Sequence, residues 1–239
     1  MIIAKNISKH FGKLVALDSI NITCNAGECI ALIGPNGSEK TTFIKSILGL
    51  VVPDSGDILF NNKTISKNWM YRSQIGYMPQ IGRYPDNMTI GQLIKMMKDI
   101  RRENKNNIDE ELLYSFQLDK MLDKRMRTLS GGTRQKVSAL FAFLFNAEVL
   151  ILDEPTAGLD PLAAEILREK IIKEKQKGKL VLITSHVLSE LDDIVTQIIY
   201  IQDGKLIFHK DIEVLRTETG EQKLSKAIAN VMAKTLINE

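Results

Sequence analysis

Two cysteines, one tryptophan and no long apolar run are what this sequence of 239 residues holds in the categories that announce secreted, zinc-binding or membrane-embedded chains. Cys24 and Cys29 are too few and wrongly spaced for a zinc site. Along one extended segment their odd separation would point them to opposite faces, so buried free thiols in a reducing compartment are expected. The opening Met1-Ile2-Ile3-Ala4-Lys5-Asn6 lacks the basic start, apolar stretch and small-residue cleavage site of a secretory signal. No run approaches the roughly 18 apolar residues that a membrane helix needs, so a membrane role has to come through a partner. There is also no excess of one charge. The 32 basic and 29 acidic residues are spread along the chain, a net charge of +3 that falls short of a nucleic-acid footprint. Global disorder is excluded because 44% of the residues are hydrophobic, enough for a sizeable core. No internal repeat is visible.

Strand-like segments alternate with helical patterns, which points to an α/β fold with a mainly parallel sheet. Glu28 to Ile33 reads as a buried strand ending at Gly34. Thr41 to Leu50 then carries Phe43, Ile44, Ile47 and Leu48 at helical spacing. Val149 to Leu152 and Leu180 to Thr184 are further short apolar runs, the pattern of strands buried on both faces. Between those two, Asp160-Pro161 opens a helix that Gly178 closes, which makes a crossover unit. Residues 197 to 209 place Asp203-Gly204 between two apolar runs, the signal of a two-residue hairpin, so the sheet is expected to finish antiparallel.

From Pro85 to Arg127 the periodicity is helical without strand signals: Ile90, Leu93, Ile94 and Met97, then Ile108, Leu112 and Phe116. This stretch, residues 85 to 127, is expected to be a helical subdomain inserted between core segments 1 to 84 and 128 to 210. The polar run Arg101 to Asn107 would link its helices. In the tail, residues 211 to 239, the spacing of Leu224, Ile228, Val231 and Leu236 predicts a terminal amphipathic helix.

Chemistry first shows in Gly34-Pro35-Asn36-Gly37-Ser38-Glu39-Lys40-Thr41, which falls between the first of these strands and its helix. There a P-loop would wrap backbone N–H groups around phosphates, Lys40 would neutralise the β and γ phosphates, and the Thr41 hydroxyl would ligate Mg²⁺. The P-loop pattern asks for glycine where Glu39 stands. An ordinary strand-to-helix turn is the plainer reading of the same segment. A second signal is Val149-Leu150-Ile151-Leu152-Asp153-Glu154, an apolar strand delivering two carboxylates at its C-terminal end, the edge where open parallel sheets bind ligands. Asp153 suits Mg²⁺ through water, and Glu154 suits a general base that polarises an attacking water. Two solvated acids at a strand end would look the same.

Leu129-Ser130-Gly131-Gly132-Thr133-Arg134-Gln135, lying between those two motifs, resembles the signature sequence of ATP-binding cassette (ABC) proteins. Further marks of that family follow in order: Gln80 after an apolar stretch, Ala157-Gly158-Leu159-Asp160 after the acids, and His186 after Leu182-Ile183-Thr184-Ser185. The resemblance covers residues 2 to 210 and implies a P-loop NTPase core, with a mainly parallel sheet, antiparallel β elements and an inserted helical subdomain, that binds and hydrolyses ATP with Mg²⁺. It implies that Phe11 stacks on adenine and that residues 34 to 41, with Thr42, cradle the phosphates. It implies that Asp153, Thr41 and Gln80 attend the metal, that Glu154 and Gln80 handle the attacking water, and that His186 contacts the γ-phosphate. Ser130, Gly131 and Gly132, with Asp160, would complete the site of a second copy of the chain, so that two protomers sandwich two nucleotides with two-fold symmetry. Residues Ile81 to Ile90 would lie where separate membrane-spanning subunits dock, on the cytoplasmic face. The resemblance narrows, through overall similarity and the Gly82-Arg83-Tyr84-Pro85 neighbourhood, towards ATPases that serve copper-site maturation of nitrous oxide reductase.

Glu39 departs from the family pattern in the loop that meets the negative charges of ATP. At about 5 Å and an effective dielectric of about 20, each like-charge unit costs roughly 3 kcal/mol, or about a hundredfold in affinity. Reduced nucleotide affinity and turnover are therefore expected. Two other functions fit the same family: a soluble ATPase of DNA repair or translation, which usually carries a long insertion or tandem cassettes, and a nucleotide-insensitive regulatory subunit, for which Glu39 is the one argument.

Overall fold

The computed structural model describes residues 1–101 and 108–237, so the polar link expected at 101–107 lies, after its first residue, outside the described residues. The chain divides into two compact units, Met1–Trp69 with Leu182–Glu239, and Met70–Val181. Strands β1 (Ile2–Phe11) and β2 (Leu14–Cys24) form an antiparallel hairpin that closes at the Phe11 and Leu14 pair. The chain then turns before β3 (Cys29–Ile33), where the Glu28 carboxylate accepts from the backbone and side-chain nitrogens of Asn25. Cys24 and Cys29 thus stand on separate strands, and the extended-segment argument about their faces does not apply. Both are free and buried, and burial pushes the Cys24 thiol up to about 12. A loop leads to α1 (Lys40–Ile47), and then β4 (Ser55–Phe60) and β5 (Lys63–Thr64) turn at Asn61 and Asn62, both at positive φ. The strands β2, β1, β4 and β5 lie side by side as an antiparallel layer, in keeping with the antiparallel elements expected beside a mainly parallel sheet.

The chain continues through β6 (Ile75–Met78), α2 (Ile90–Arg101), α3 (Glu111–Ser115), α4 (Gly131–Phe143), β7 (Val149–Asp153) and α5 (Pro161–Gln176). After β8 (Leu180–Thr184) come β9 (Gln197–Gln202), β10 (Lys205–Asp211), α6 (Ile212–Thr219) and α7 (Leu224–Ile237). Strand β9 runs parallel to β3, and β6 runs parallel to β7. Strand β10 returns antiparallel along β9, and Asp203 and Gly204 between them both take positive φ, as the two-residue turn requires. The α/β class is borne out. Every residue of β3, β7 and β8 is buried, which explains their unbroken apolar runs.

Helix α5 starts as expected: the Asp160 carboxylate accepts the Ala163 N–H at 2.9 Å, Pro161 follows, and Gly178 at φ 83° ends the segment. Its inner face is unusual, because Lys170 and Glu174 are buried beside Ala163, Leu167 and Ile171. Lys170 Nζ meets Asp109 at 2.5 Å, Glu111 at 2.8 Å and Glu174 at 3.1 Å. Glu174 also receives Lys177 at 2.7 Å, and Lys179. This network joins α5 to the start of α3. The tail forms two helices, and α7 buries Leu224, Ala227 and Ile228 on one face while the Leu224 N–H donates to Asp192 at 2.8 Å.

Candidate nucleotide site

In the first unit, β3 ends at Gly34, where an added Cβ would stand 2.0 Å from the Ile201 carbonyl oxygen, so only glycine fits. Gly37 also takes positive φ, at 79°, and the Ser38 N–H donates to the Pro35 carbonyl, which curls the loop. Pro35, Asn36 and Gly37 are exposed and Ser38 is buried. Lys40 reaches back into the curl, donating to the carbonyls of Gly34 at 2.8 Å and Pro35 at 2.9 Å and to Ser38 Oγ at 3.3 Å. A cation centred in a glycine-containing turn at the start of a helix fits a phosphate group. Thr41 is exposed at the same mouth, and Thr42 is buried in the first turn of α1.

Glu39 is the N-cap of α1 at φ 70° and ψ 23°, the left-handed region that glycine enters freely and other residues enter at a cost. Its carboxylate accepts the Thr42 hydroxyl at 2.5 Å, while its carbonyl takes the first helical N–H, from Phe43. A glycine at this place would therefore meet a backbone demand as well as allow the close approach of a phosphate.

Phe11, at the end of β1, is 49% exposed, an open ring available for stacking. The Lys9 ammonium stands 5.5 Å from the ring centroid and is held there by Asp54 at 2.8 Å. That bond and the His10 backbone N–H keep the Asp54 carboxyl down at about 2. His186 is exposed just past β8, in a turn where Ser185 Oγ accepts the Val187 N–H at 3.0 Å.

In the second unit, the parallel register of β6 and β7 pairs Met78 with Leu152, so Gln80 and Glu154 emerge at the same C-terminal edge. They meet there: Gln80 Nε2 donates to Glu154 Oε2 at 2.9 Å. Glu154 sits at φ 49°, a left-handed turn that begins the loop to α5. Asp153 is buried at the strand end, and the Tyr77 phenol is pushed up to about 12 by burial and by the Asp153 charge.

Ser130 caps α4, its Oγ accepting the Thr133 N–H at 3.2 Å. A Cβ on Gly131 would meet nothing within 4 Å, so that position is open to a ligand. A Cβ on Gly132 would come 2.8 Å from the Gly158 carbonyl, so the second glycine lets the helix start pack on the Ala157–Asp160 loop. Asp160 also takes Lys136 of α4 at 2.7 Å, which with the Ala163 N–H holds its carboxyl below the ordinary carboxylate range. Further along α4, Phe141 packs against Tyr84, their ring centroids 5.6 Å apart. Lys136 and the Tyr84 contact escaped the sequence reading. No local pattern marks Lys136, which lies 24 residues from its partner. An aromatic so soon after Gln80 was the available hint for Tyr84.

Among the described residues no three or more His, Cys, Asp or Glu side chains cluster as a self-sufficient metal site. Asp153, at the end of β7, offers a carboxylate of the kind that supplements phosphate oxygens around a hard cation.

The ABC transporter family pattern matches residues 17–157. The Nod factor export ATP-binding protein I of Burkholderia lata is 30% identical over 207 residues, covering 85% of this chain and 68% of that protein. The lipopolysaccharide export system ATP-binding protein LptB of Haemophilus influenzae is 30% identical over 233 residues, covering 92% of this chain and 97% of that one. Among solved structures, an ATP-binding subunit of an ABC transporter superposes with a TM-score of 0.90 at 26% identity, over 97% of this chain and 99% of the other. A nucleotide-free ATP-binding cassette gives 0.77 at 26% identity over 95% and 98%. The glycine-containing turn after β3, the paired Gln80 and Glu154, and the capped start of α4 thus occur on a fold and in a sequence whose relatives are ATP-binding subunits, and the chain belongs to the ABC transporter family as one of its ATP-binding, ATP-hydrolysing cassettes.

Proposed function

We propose that the chain powers export through separate membrane-spanning subunits, hydrolysing ATP between two copies of itself on the cytoplasmic face of a membrane. The observation that carries the chemistry is the Gln80 and Glu154 pair at the joint end of β6 and β7. Glu154 polarises the water that attacks the γ-phosphorus and takes its proton, Gln80 orients that carboxylate, and His186 steadies the γ-phosphate. Lys40 binds the β and γ phosphates, N–H groups of the turn between Asn36 and Thr42 line them, and Phe11 stacks on adenine. Thr41, Gln80 and Asp153 hold Mg²⁺, which supplies neutralisation of phosphate charge when bound.

Ser130, Gly131 and Gly132 present the open start of α4 to the nucleotide of a second copy, with Asp160 beside them, so association depends on ATP. Export is supported by the names of the Burkholderia and Haemophilus relatives. Among the described residues no helix is long and apolar enough to cross a membrane, in keeping with a membrane role exercised through partners.

The test is phosphate release and ATP-dependent dimerisation of Glu154→Gln, made both in the natural chain and in a Glu39→Gly background. Hydrolysis should fall by about 10²–10⁴, as for loss of a general base, with ATP binding kept and the dimer accumulating. Unchanged turnover would remove Glu154 from its role. Co-purification of an integral membrane protein with the tagged chain tests the transport assignment.

A further inference from the structure

The Glu39 carboxylate is drawn onto the first turn of α1 by the Thr42 hydroxyl. That turn is where a helix presents N–H groups without intrahelical partners, and where a phosphate would bind. Glu39 therefore places an anion of its own on the phosphate's ground, and its backbone at φ 70° keeps it at the helix cap. The α1 first turn contains no other acidic residue. We propose that Glu39 is a built-in competitor for the phosphate cradle, and that it makes capture selective for magnesium-complexed over free triphosphate. This inference rests on the ATP reading of the loop.

The argument is electrostatic. An incoming phosphate has to displace the carboxylate from Thr42 and then remain within a few ångströms of it. Repulsion scales with the ligand's charge, and complexation with Mg²⁺ removes two units of that charge before binding. Free ATP is therefore penalised more than Mg·ATP, whereas a glycine at this position imposes no charge-dependent penalty of its own. A purely steric effect of the side chain would weaken both forms alike.

Equilibrium binding of ATP, once with excess Mg²⁺ and once with EDTA, separates these effects in the natural chain, Glu39→Gln and Glu39→Gly. The ratio of the free-ATP to the Mg·ATP dissociation constant should be larger in the natural chain than in Glu39→Gly by about tenfold or more. Glu39→Gln should show the Glu39→Gly ratio while binding both forms more weakly, because it keeps the Cβ and the left-handed backbone but not the charge. Equal ratios in the natural chain and Glu39→Gly overturn the proposal, and so does a Glu39→Gln ratio that stays with the natural chain. If Glu39→Gly binds neither form, the ATP reading of the loop fails and this inference falls with it. A failure of selectivity alone leaves Glu39→Gly binding tightly in both conditions.

Discussion

Glu39 and Glu174 are two carboxylates in places that usually exclude them, and their surroundings answer them differently. Glu174 has a side chain 1% exposed on the inner face of α5, where Lys170, Lys177 and Lys179 converge on it. Burial alone would push its carboxyl up, but the lysines outweigh that and hold it at about 2. Lys170 is likewise held above its ordinary range, since Asp109, Glu111 and Glu174 overcome its own burial. Glu39, in the turn between β3 and α1, meets a neutral hydroxyl and a backbone conformation suited to glycine. Charge in the α5 network is compensated within the fold, so it is a matter of stability. Charge at Glu39 occupies the open start of α1, where a phosphate would bind, so its effect appears when a phosphate arrives.

The sharpest way to break this contrast is Lys170→Met. Stripping the central cation takes its ammonium partner from Asp109 and leaves Glu174 with Lys177 and Lys179 alone, and should cost about 3–5 kcal/mol of unfolding free energy, read from urea denaturation. A loss below 1 kcal/mol would mean the network is dispensable. On the other side of the comparison, Glu39→Gly should tighten ATP by about a hundredfold, or roughly 3 kcal/mol, in equilibrium titration. An unchanged dissociation constant would sink the charge argument.

The pH dependence comes next, because the other lysines remain when only protonation changes. Glu174 is depressed from its ordinary value of 4.5 to about 2 in the folded chain, so its contribution is present above pH 4.5 and lost as pH falls towards 2. Glu174→Gln should flatten the denaturation midpoint over that window; parallel curves for the two proteins would contradict the assignment. Smallest is the backbone effect at position 39. Relief of the left-handed conformation in Glu39→Gly should raise stability by about 1 kcal/mol, visible as a higher urea midpoint without ligand.

Several features are missing from the sequence reading, the first for a local reason and the others for long-range ones. The hairpin of β1 and β2 hid because its register shifts between Ala4 and Ile7, between Ile7 and Lys9, and between Lys9 and His10, which breaks the two-residue alternation that marks a strand. Lys170 and Glu174 carry no local mark of burial, because only the packing of α5 places them inside. Gln80 lies 74 residues from Glu154, and nothing local says that the two touch.

The sequence by itself determined the order of the motifs, the cap and proline that start α5, the Asp203-Gly204 turn and the buried strands that end at Gly34 and Asp153. Each depends on backbone preference or hydrophobic period within a few residues, which a linear chain displays openly. Tertiary structure decided that β6 lies parallel to β7, that Lys136 reaches Asp160 and that Lys170 sits among carboxylates. Those pairings depend on which distant segments become neighbours, and many arrangements satisfy the same local rules until the core selects one.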